Sequence, residues 1–141
     1  MNGSQQVYRI SFGSAPKNIV RIERFLKKVN HAVHLDEIQM HKLMVSLTEA
    51  VNNAIVHGNR SDEEKKVAVV CEILPGWLLF LVNDEGAGFS AEKIKNPLSK
   101  RNMMKENGRG IFLMRTLMDK VEFESTKKGM QVRLWLDIGK R

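Results

Sequence analysis

Hydrophobic residues recur along the chain with two periods, and changes in the period mark the predicted elements. In residues 6–12 apolar side chains alternate with polar ones, which predicts a short β-strand. Residues 17–33 have helical spacing, and a second helical stripe runs over residues 36–57. Gly58 is expected to be the C-terminal stop of the second helix, and Asn59 to begin a turn.

The second half of the chain predicts mostly strands. Two β-branched-rich strands, 66–74 and 77–82, are joined by a Pro-Gly turn, and a polar segment without regular pattern follows over 84–107. A helix over 110–118 and a hairpin of strands 121–123 and 130–138, turning at Lys128-Gly129, complete the chain. This order predicts one domain, 1–141, with a two-layer α/β (α+β) sandwich fold. Its sheet is mostly antiparallel and covered on one face by helices.

Composition narrows the class of protein. The chain is 43% apolar and 28% charged, as globular proteins are, and no apolar run reaches the length of a membrane span. The N-terminus lacks the basic-then-apolar build of a signal peptide. Cys71 is the only cysteine, so no internal disulfide forms. We expect a cytoplasmic protein without a membrane partner.

The net charge of +7 indicates an anionic partner, and most of the excess is concentrated in one segment. Between Lys93 and Arg109 there are six basic residues against Glu106 alone. Such a segment suits polyphosphate binding, and it equally suits a solvated loop. The basic charge alone does not indicate nucleic-acid binding, because no recognition motif or aromatic-interleaved basic face accompanies it.

The stretch SLTEAVNNAIVHGN, Ser46 to Asn59, has an unusual polar side. Glu49 and Asn53 are four residues apart and therefore point the same way on a helix, with Ser46 and His57 near them. A solvated helix side explains this pattern as well. If the side binds a ligand, the amide oxygen suits Mg²⁺ and the carboxylate suits proton acceptance.

Two glycine-containing segments are further candidates. In VNDEGAGFS, Asp84 precedes Gly86 and Gly88 at the end of an apolar strand, so its carboxylate can accept from an exocyclic amine. An ordinary Asp-Gly turn is the alternative. In NGRGIFLM, Gly108 and Gly110 open a helix, where free backbone N–H groups favour phosphate. A flexible loop end is the alternative there.

Together, and in this order, these motifs resemble those of the GHKL ATP-binding superfamily. LTEAVNNAIVHG resembles the N box of that superfamily, VNDEGAGF its first glycine box and GRGIFLMRTLMDKVEF its second. Within the superfamily the chain looks most like the small anti-sigma-factor serine kinases of bacteria. The resemblance extends over essentially the whole chain.

The resemblance implies a role for each matching residue. Glu49 would be the general base, and Asn53 the protein ligand of Mg²⁺. Asp84 would bind the adenine amine in a pocket shaped by Gly86 and Gly88. The remaining implied parts are the ATP lid at about 90–107 and the phosphate-binding residues Gly108, Arg109, Gly110 and Ile111. One departure is Met130, which follows Gly129 where the family usually has a small hydroxyl residue.

The same resemblance implies a function. The chain would bind ATP and Mg²⁺, bind a sigma factor in one state, and phosphorylate an anti-sigma-factor antagonist protein on serine or threonine in another. It would thus control transcription by partner switching, and two copies would associate as a homodimer. The alternative is a nucleotide-dependent module that sequesters its partner without physiological kinase activity.

Overall fold

The fold is a five-stranded sheet with helices packed on one face. The computed structural model describes residues 6–86 and 108–139. The elements in chain order are β1 (Gln6–Gly13), a 3₁₀ turn (Pro16–Ile19), α1 (Val20–Val33), α2 (Glu37–Asn53), a π-helical turn (Ala54–Gly58), β2 (Lys66–Leu74), β3 (Trp77–Asn83), α3 (108–117), β4 (Lys120–Ser125) and β5 (Met130–Asp137). The predicted element order is therefore confirmed.

The sheet order is β1-β2-β3-β5-β4, and all four pairings are antiparallel. The β2–β3 hairpin turns at Gly76, which has a φ of 75°. Since β5 pairs with β3 in antiparallel orientation, the end of β3 is beside the start of β5, and Asn83 pairs with Gln131. This pairing brings two distant loops together, the one after Asn83 and the one before Met130.

The core lies between one face of the sheet and the helices. The strands contribute alternate residues, as in Leu78, Phe80 and Val82 of β3, and α2 contributes Leu47 and its apolar neighbours. Phe25 of α1 packs edge-to-face on Phe80 with ring centroids 6.3 Å apart. The predicted two-layer arrangement is confirmed. Within the described part of the chain, no helix is long and apolar enough to cross a membrane.

The opposite face of β3 is also apolar. Leu79 of β3 and Val70 of β2 are buried without belonging to the core cluster, and Val70 pairs with Leu81 in the register. Trp77 packs edge-to-face on Trp135 of β5, at 5.9 Å between centroids. A strand that is apolar on both faces is typical of a strand covered on both sides.

The start of α2 matches its sequence prediction. Asp36 caps the helix, accepting the backbone N–H of Gln39 at 2.7 Å. The Gln39 side chain accepts the backbone N–H of Asp36 at 3.2 Å, which completes a capping box.

The end of α2 differs from its prediction. Regular α-helix stops at Asn53, and a wider π-helical turn carries the chain to Gly58. The backbone N–H of Asn59 bonds to the carbonyl of Ala54 at 2.8 Å, five residues back. The helical segment does end at Gly58, where the sequence predicts the stop, but Gly58 does not adopt the left-handed conformation, since among the described glycines only Gly76 has a positive φ. A glycine is needed at position 58 for a different reason, because the Asp84 side chain lies where a Cβ would be.

Candidate functional site

Asp84 is a buried carboxylate at the junction of three segments. It follows β3 and is 7% exposed. Its Oδ1 accepts the backbone N–H of Gly86 and that of Met130, each at 3.0 Å, and its own N–H donates to the Met130 carbonyl at 3.0 Å. Burial raises the pKa of this carboxyl, and the two backbone donors and Lys65 oppose that rise. A carboxylate kept under these conditions indicates a use beyond packing.

Three glycines let other segments approach Asp84 closely. A Cβ at Gly58 would lie 2.1 Å from Asp84 Oδ2, and one at Gly129 would lie 2.2 Å from the Asp84 carbonyl oxygen. A Cβ at Gly86 would lie 1.8 Å from the Gly58 carbonyl oxygen. No side chain fits at these distances, so only glycine permits the ends of α2, β3 and the β4–β5 hairpin to meet. Gly88 lies outside the described residues.

The polar side of α2 contacts the first described turn of α3. A Cβ at Gly110 would lie 2.6 Å from Glu49 Oε2 and 3.5 Å from Asn53 Nδ2. The structure therefore brings together Glu49, Asn53 and Gly110, as the sequence predicted. Glu49 and Asn53 are half-buried, so both are partly withdrawn from solvent.

The other predicted residues of α3 differ in exposure. Arg109 is exposed, Gly108 is half-buried, and a Cβ at Gly108 would meet nothing within 4 Å. Ile111 packs against the core. The predicted lid at about 90–107 lies outside the described residues.

Ser46 does not share the polar side of α2, where the sequence placed it. It is fully buried, and its Oγ has no hydrogen-bond partner among the residues that the structure describes. Its burial shows that the enclosed side of α2 extends further around the helix than the apolar stripe in the sequence indicates. His57 is exposed in the π-helical turn.

Sequence reasoning missed Asn59, which it interpreted only as a turn residue. The side chain is 1% exposed and its Nδ2 donates to Ser14 Oγ at 2.7 Å and to the Lys66 carbonyl at 3.0 Å. Its Oδ1 accepts the backbone N–H of Glu85 at 2.8 Å. An asparagine after a glycine is a common turn signal, so no local pattern distinguishes this buried role.

Met130 supports Asp84 through its backbone. Both of its contacts with Asp84 use main-chain atoms, so they do not depend on a side-chain hydroxyl at this position. The preceding turn has a hydroxyl of its own: Thr126 Oγ1 donates to the Gly129 carbonyl at 2.9 Å and accepts the Gly129 N–H at 3.0 Å.

Sequence comparison identifies the family to which this arrangement belongs. The profile described as "Histidine kinase-like ATPase domain" matches residues 12–136, nearly the whole described chain. The chain belongs to this ATPase family. The predicted resemblance to GHKL ATPases is confirmed.

Anti-sigma factors are among the similar proteins. The chain is 36% identical over 109 residues to an "Anti-sigma F factor" of Geobacillus kaustophilus, covering 75% of this chain and 73% of that protein. It is 33% identical over 118 residues to an "Anti-sigma F factor" of Clostridium botulinum strain Eklund 17B, covering 82% and 80%.

A solved structure has the same fold. It is that of the RsbU and RsbW domains of Rv1364c from Mycobacterium tuberculosis, with a TM-score of 0.68 at 13% identity. The match covers 94% of this chain and 32% of that one. At this identity the likeness concerns the fold alone.

The burial of Asp84 has a consequence for stability. Because burial raises the folded-state pKa above the unfolded value, ionised Asp84 lowers stability at neutral pH, and this cost disappears as pH falls below the unfolded pKa. Asparagine retains an oxygen for both backbone donors and carries no charge. We expect Asp84→Asn to be at least as stable as wild type at pH 7, with its advantage shrinking as the pH is lowered.

Denaturant unfolding between pH 7 and pH 4 measures this difference. The matched control is Asp62→Asn, because exposed Asp62 also accepts a backbone N–H, from Glu64 at 3.0 Å. A clear loss of stability in Asp84→Asn at pH 7, or an equal pH-dependent advantage in the control, would contradict the account of Asp84.

Proposed function

We propose that the chain is an ATP-dependent protein serine/threonine kinase that controls transcription by partner switching. It binds a sigma factor in one state and phosphorylates an anti-sigma-factor antagonist protein in another. The observation that carries the proposal is the cluster of Glu49 and Asn53 against Gly110, on the helix whose continuation reaches Asp84 at Gly58. The membership in an ATPase family and the similarity to anti-sigma F factors support it.

The Asp84 end of the site takes the adenine base. Oδ1 is occupied by two backbone donors, and Oδ2 is on the side of Gly58. A carboxylate oxygen in this environment accepts a hydrogen bond from the exocyclic amine of adenine. Gly86, and Gly88 by resemblance, shape the pocket by the absence of side chains.

The Glu49 end takes the phosphates. Gly58 lies nine positions after Glu49, which is roughly 13 Å at the 1.5 Å rise per residue of an α-helix. Base and phosphates thus bind at separate positions along α2. We assign main-chain contacts with the phosphates to Gly108, Arg109, Gly110 and Ile111, and closure over the nucleotide to the segment at about 90–107.

The Asn53 carboxamide fits a single protein ligand for Mg²⁺. Mg²⁺ usually keeps several waters and binds one or two protein oxygens together with substrate phosphates. Asn53 is half-buried beside Glu49 and Gly110, so its oxygen can serve in that way. When bound, the ion neutralises charge on the phosphates.

Glu49 acts as the general base. The oxygen of a partner serine or threonine attacks the γ-phosphorus, the bond to the β–γ bridging oxygen breaks, and ADP leaves. The hydroxyl proton passes to the Glu49 carboxylate. Because a Cβ at Gly110 would lie 2.6 Å from Glu49 Oε2, the glycine leaves the carboxylate in its position.

Sigma factors act in the bacterial cytoplasm, so we assign the chain to that compartment. An association of two copies, expected from the resemblance, stays a prediction.

The metal assignment predicts a specific loss. Asn53→Ala should weaken ATP binding strongly when Mg²⁺ is present and little when it is chelated, because only the metal-dependent part uses the carboxamide. Affinities measured with Mg²⁺ and with a chelator give the two values. The control is Asn52→Ala, which removes the neighbouring carboxamide of α2 and should leave both affinities unchanged. An equal loss in both conditions would remove Asn53 as the metal ligand.

Glu49 distinguishes a kinase from a module that only binds. Glu49→Gln keeps the size of the side chain and should keep ATP affinity, while phosphoryl transfer falls by roughly 10²–10⁴-fold. Single-turnover transfer from labelled ATP to antagonist proteins of the same genome, with an ATP titration of the same preparation, measures both. Unchanged transfer would eliminate Glu49 as the base. Tight ATP binding by wild type with no transfer to any antagonist would favour the sequestering module.

A further inference from the structure

Asn59 carries a set of contacts that the proposed chemistry does not use. Its amide is fully buried, and both N–H donors and the carbonyl oxygen have partners at 2.7, 3.0 and 2.8 Å. A buried amide is costly unless it is hydrogen-bonded, so the residue is tolerated only in this geometry.

The side-chain N–H groups of Asn59 bind residues at the end of β1 and at the start of β2. One donates to Ser14 Oγ and the other to the Lys66 carbonyl. Ser14 is itself fixed, because its hydroxyl and its backbone N–H both donate to the Lys65 carbonyl, at 2.6 and 3.1 Å. The Asn59 carbonyl oxygen is therefore held by the sheet.

That oxygen holds the backbone next to Asp84. Three successive N–H groups follow β3: that of Asp84 donates to Met130, that of Glu85 to Asn59, and that of Gly86 to the Asp84 carboxylate. Of these three hydrogen bonds, only the one from Glu85 connects the loop to Asn59, the residue that follows the π-helical turn. The Glu85 carboxylate adds a second tie, accepting the backbone N–H of Lys66 at 3.0 Å.

We propose that Asn59 is a positioning residue that sets the selectivity of the nucleotide site for adenine. It does so by fixing the Asp84 carboxylate against Gly58, at the base end of the site. The inference rests on the proposed function for its ligand, and on the structure alone for its effect on the loop. Recognition of an exocyclic amine depends on alignment within hydrogen-bond limits, so a shifted Asp84 loses adenine preference before it loses phosphate binding.

Two substitutions of Asn59 separate positioning from stability. Asn59→Ala removes the acceptor for the Glu85 N–H together with both donors. Asn59→Asp retains an acceptor for Glu85 but disturbs the contacts with Ser14 and Lys66. The matched control is Asn30→Ala, which removes an acceptor of the Leu35 N–H at 2.6 Å between α1 and α2.

The first measurement is hydrogen exchange of the nucleotide-free proteins at a temperature where all are folded. We expect faster exchange at Glu85 and Gly86 in Asn59→Ala, wild-type exchange there in Asn30→Ala, and slower exchange in Asn59→Asp than in Asn59→Ala. Exchange at Glu85 that is unchanged in Asn59→Ala would overturn the inference whatever the ligand is.

The second measurement is equilibrium binding of ATP and GTP to the same proteins. We expect Asn59→Ala to bind ATP about tenfold more weakly, because one aligned hydrogen bond to adenine is lost. GTP binding should change little. Asn59→Asp should recover the ATP-to-GTP ratio despite lower stability, and Asn30→Ala should keep it. A wild-type ratio in folded Asn59→Ala would show a merely structural residue. Wild-type protein that binds neither nucleotide would overturn the proposed function and the selectivity claim together.

Discussion

A carboxylate that is removed from water requires its neighbours to satisfy it, and Asp84 imposes that requirement on three separate parts of the chain. Its Oδ1 takes two backbone donors, one from its own loop and one from the start of β5. Gly58, Gly86 and Gly129 must all lack side chains for this contact to form. The approach of α2, β3 and the last hairpin therefore depends on one buried group. Burial raises the pKa of that group, and its backbone hydrogen bonds with Gly86 and Met130 oppose the rise.

The second constraint is the rigidity of α2. Its apolar side, including Leu43, Leu47 and Val51, is fully buried against the sheet, which fixes the rotation of the helix. Glu49 and Asn53 then have one available direction, toward Gly110 of α3. Because α2 continues through the π-helical turn to Gly58, the positions of Glu49 and Asn53 on one side and of Asp84 on the other are not independent. A substitution in the core stripe is expected to disturb both.

Periodicity was sufficient to predict the element order and the two-layer fold, because each strand and helix has a clear apolar face. It also grouped Glu49 with Asn53, since residues four apart on a helix share a side. It failed at Ser46, which is fully buried although its helical angle places it near Glu49 and Asn53. It placed the helix stop at Gly58 but not the close contact with Asp84, because local sequence does not distinguish a glycine that needs positive φ from one that needs an absent Cβ. Asn59 was missed because its three partners belong to three other segments.

Adenine recognition by Asp84 is the central claim, and titration of wild type and Asp84→Asn with ATP and GTP tests it most directly. In the variant the amide oxygen is held by the two backbone donors, so an NH₂ group replaces Oδ2 and faces the adenine amine. The account predicts that wild type prefers ATP and that the variant, fully folded, binds ATP about tenfold more weakly with a reduced preference over GTP. A folded variant with wild-type affinity for ATP would contradict it.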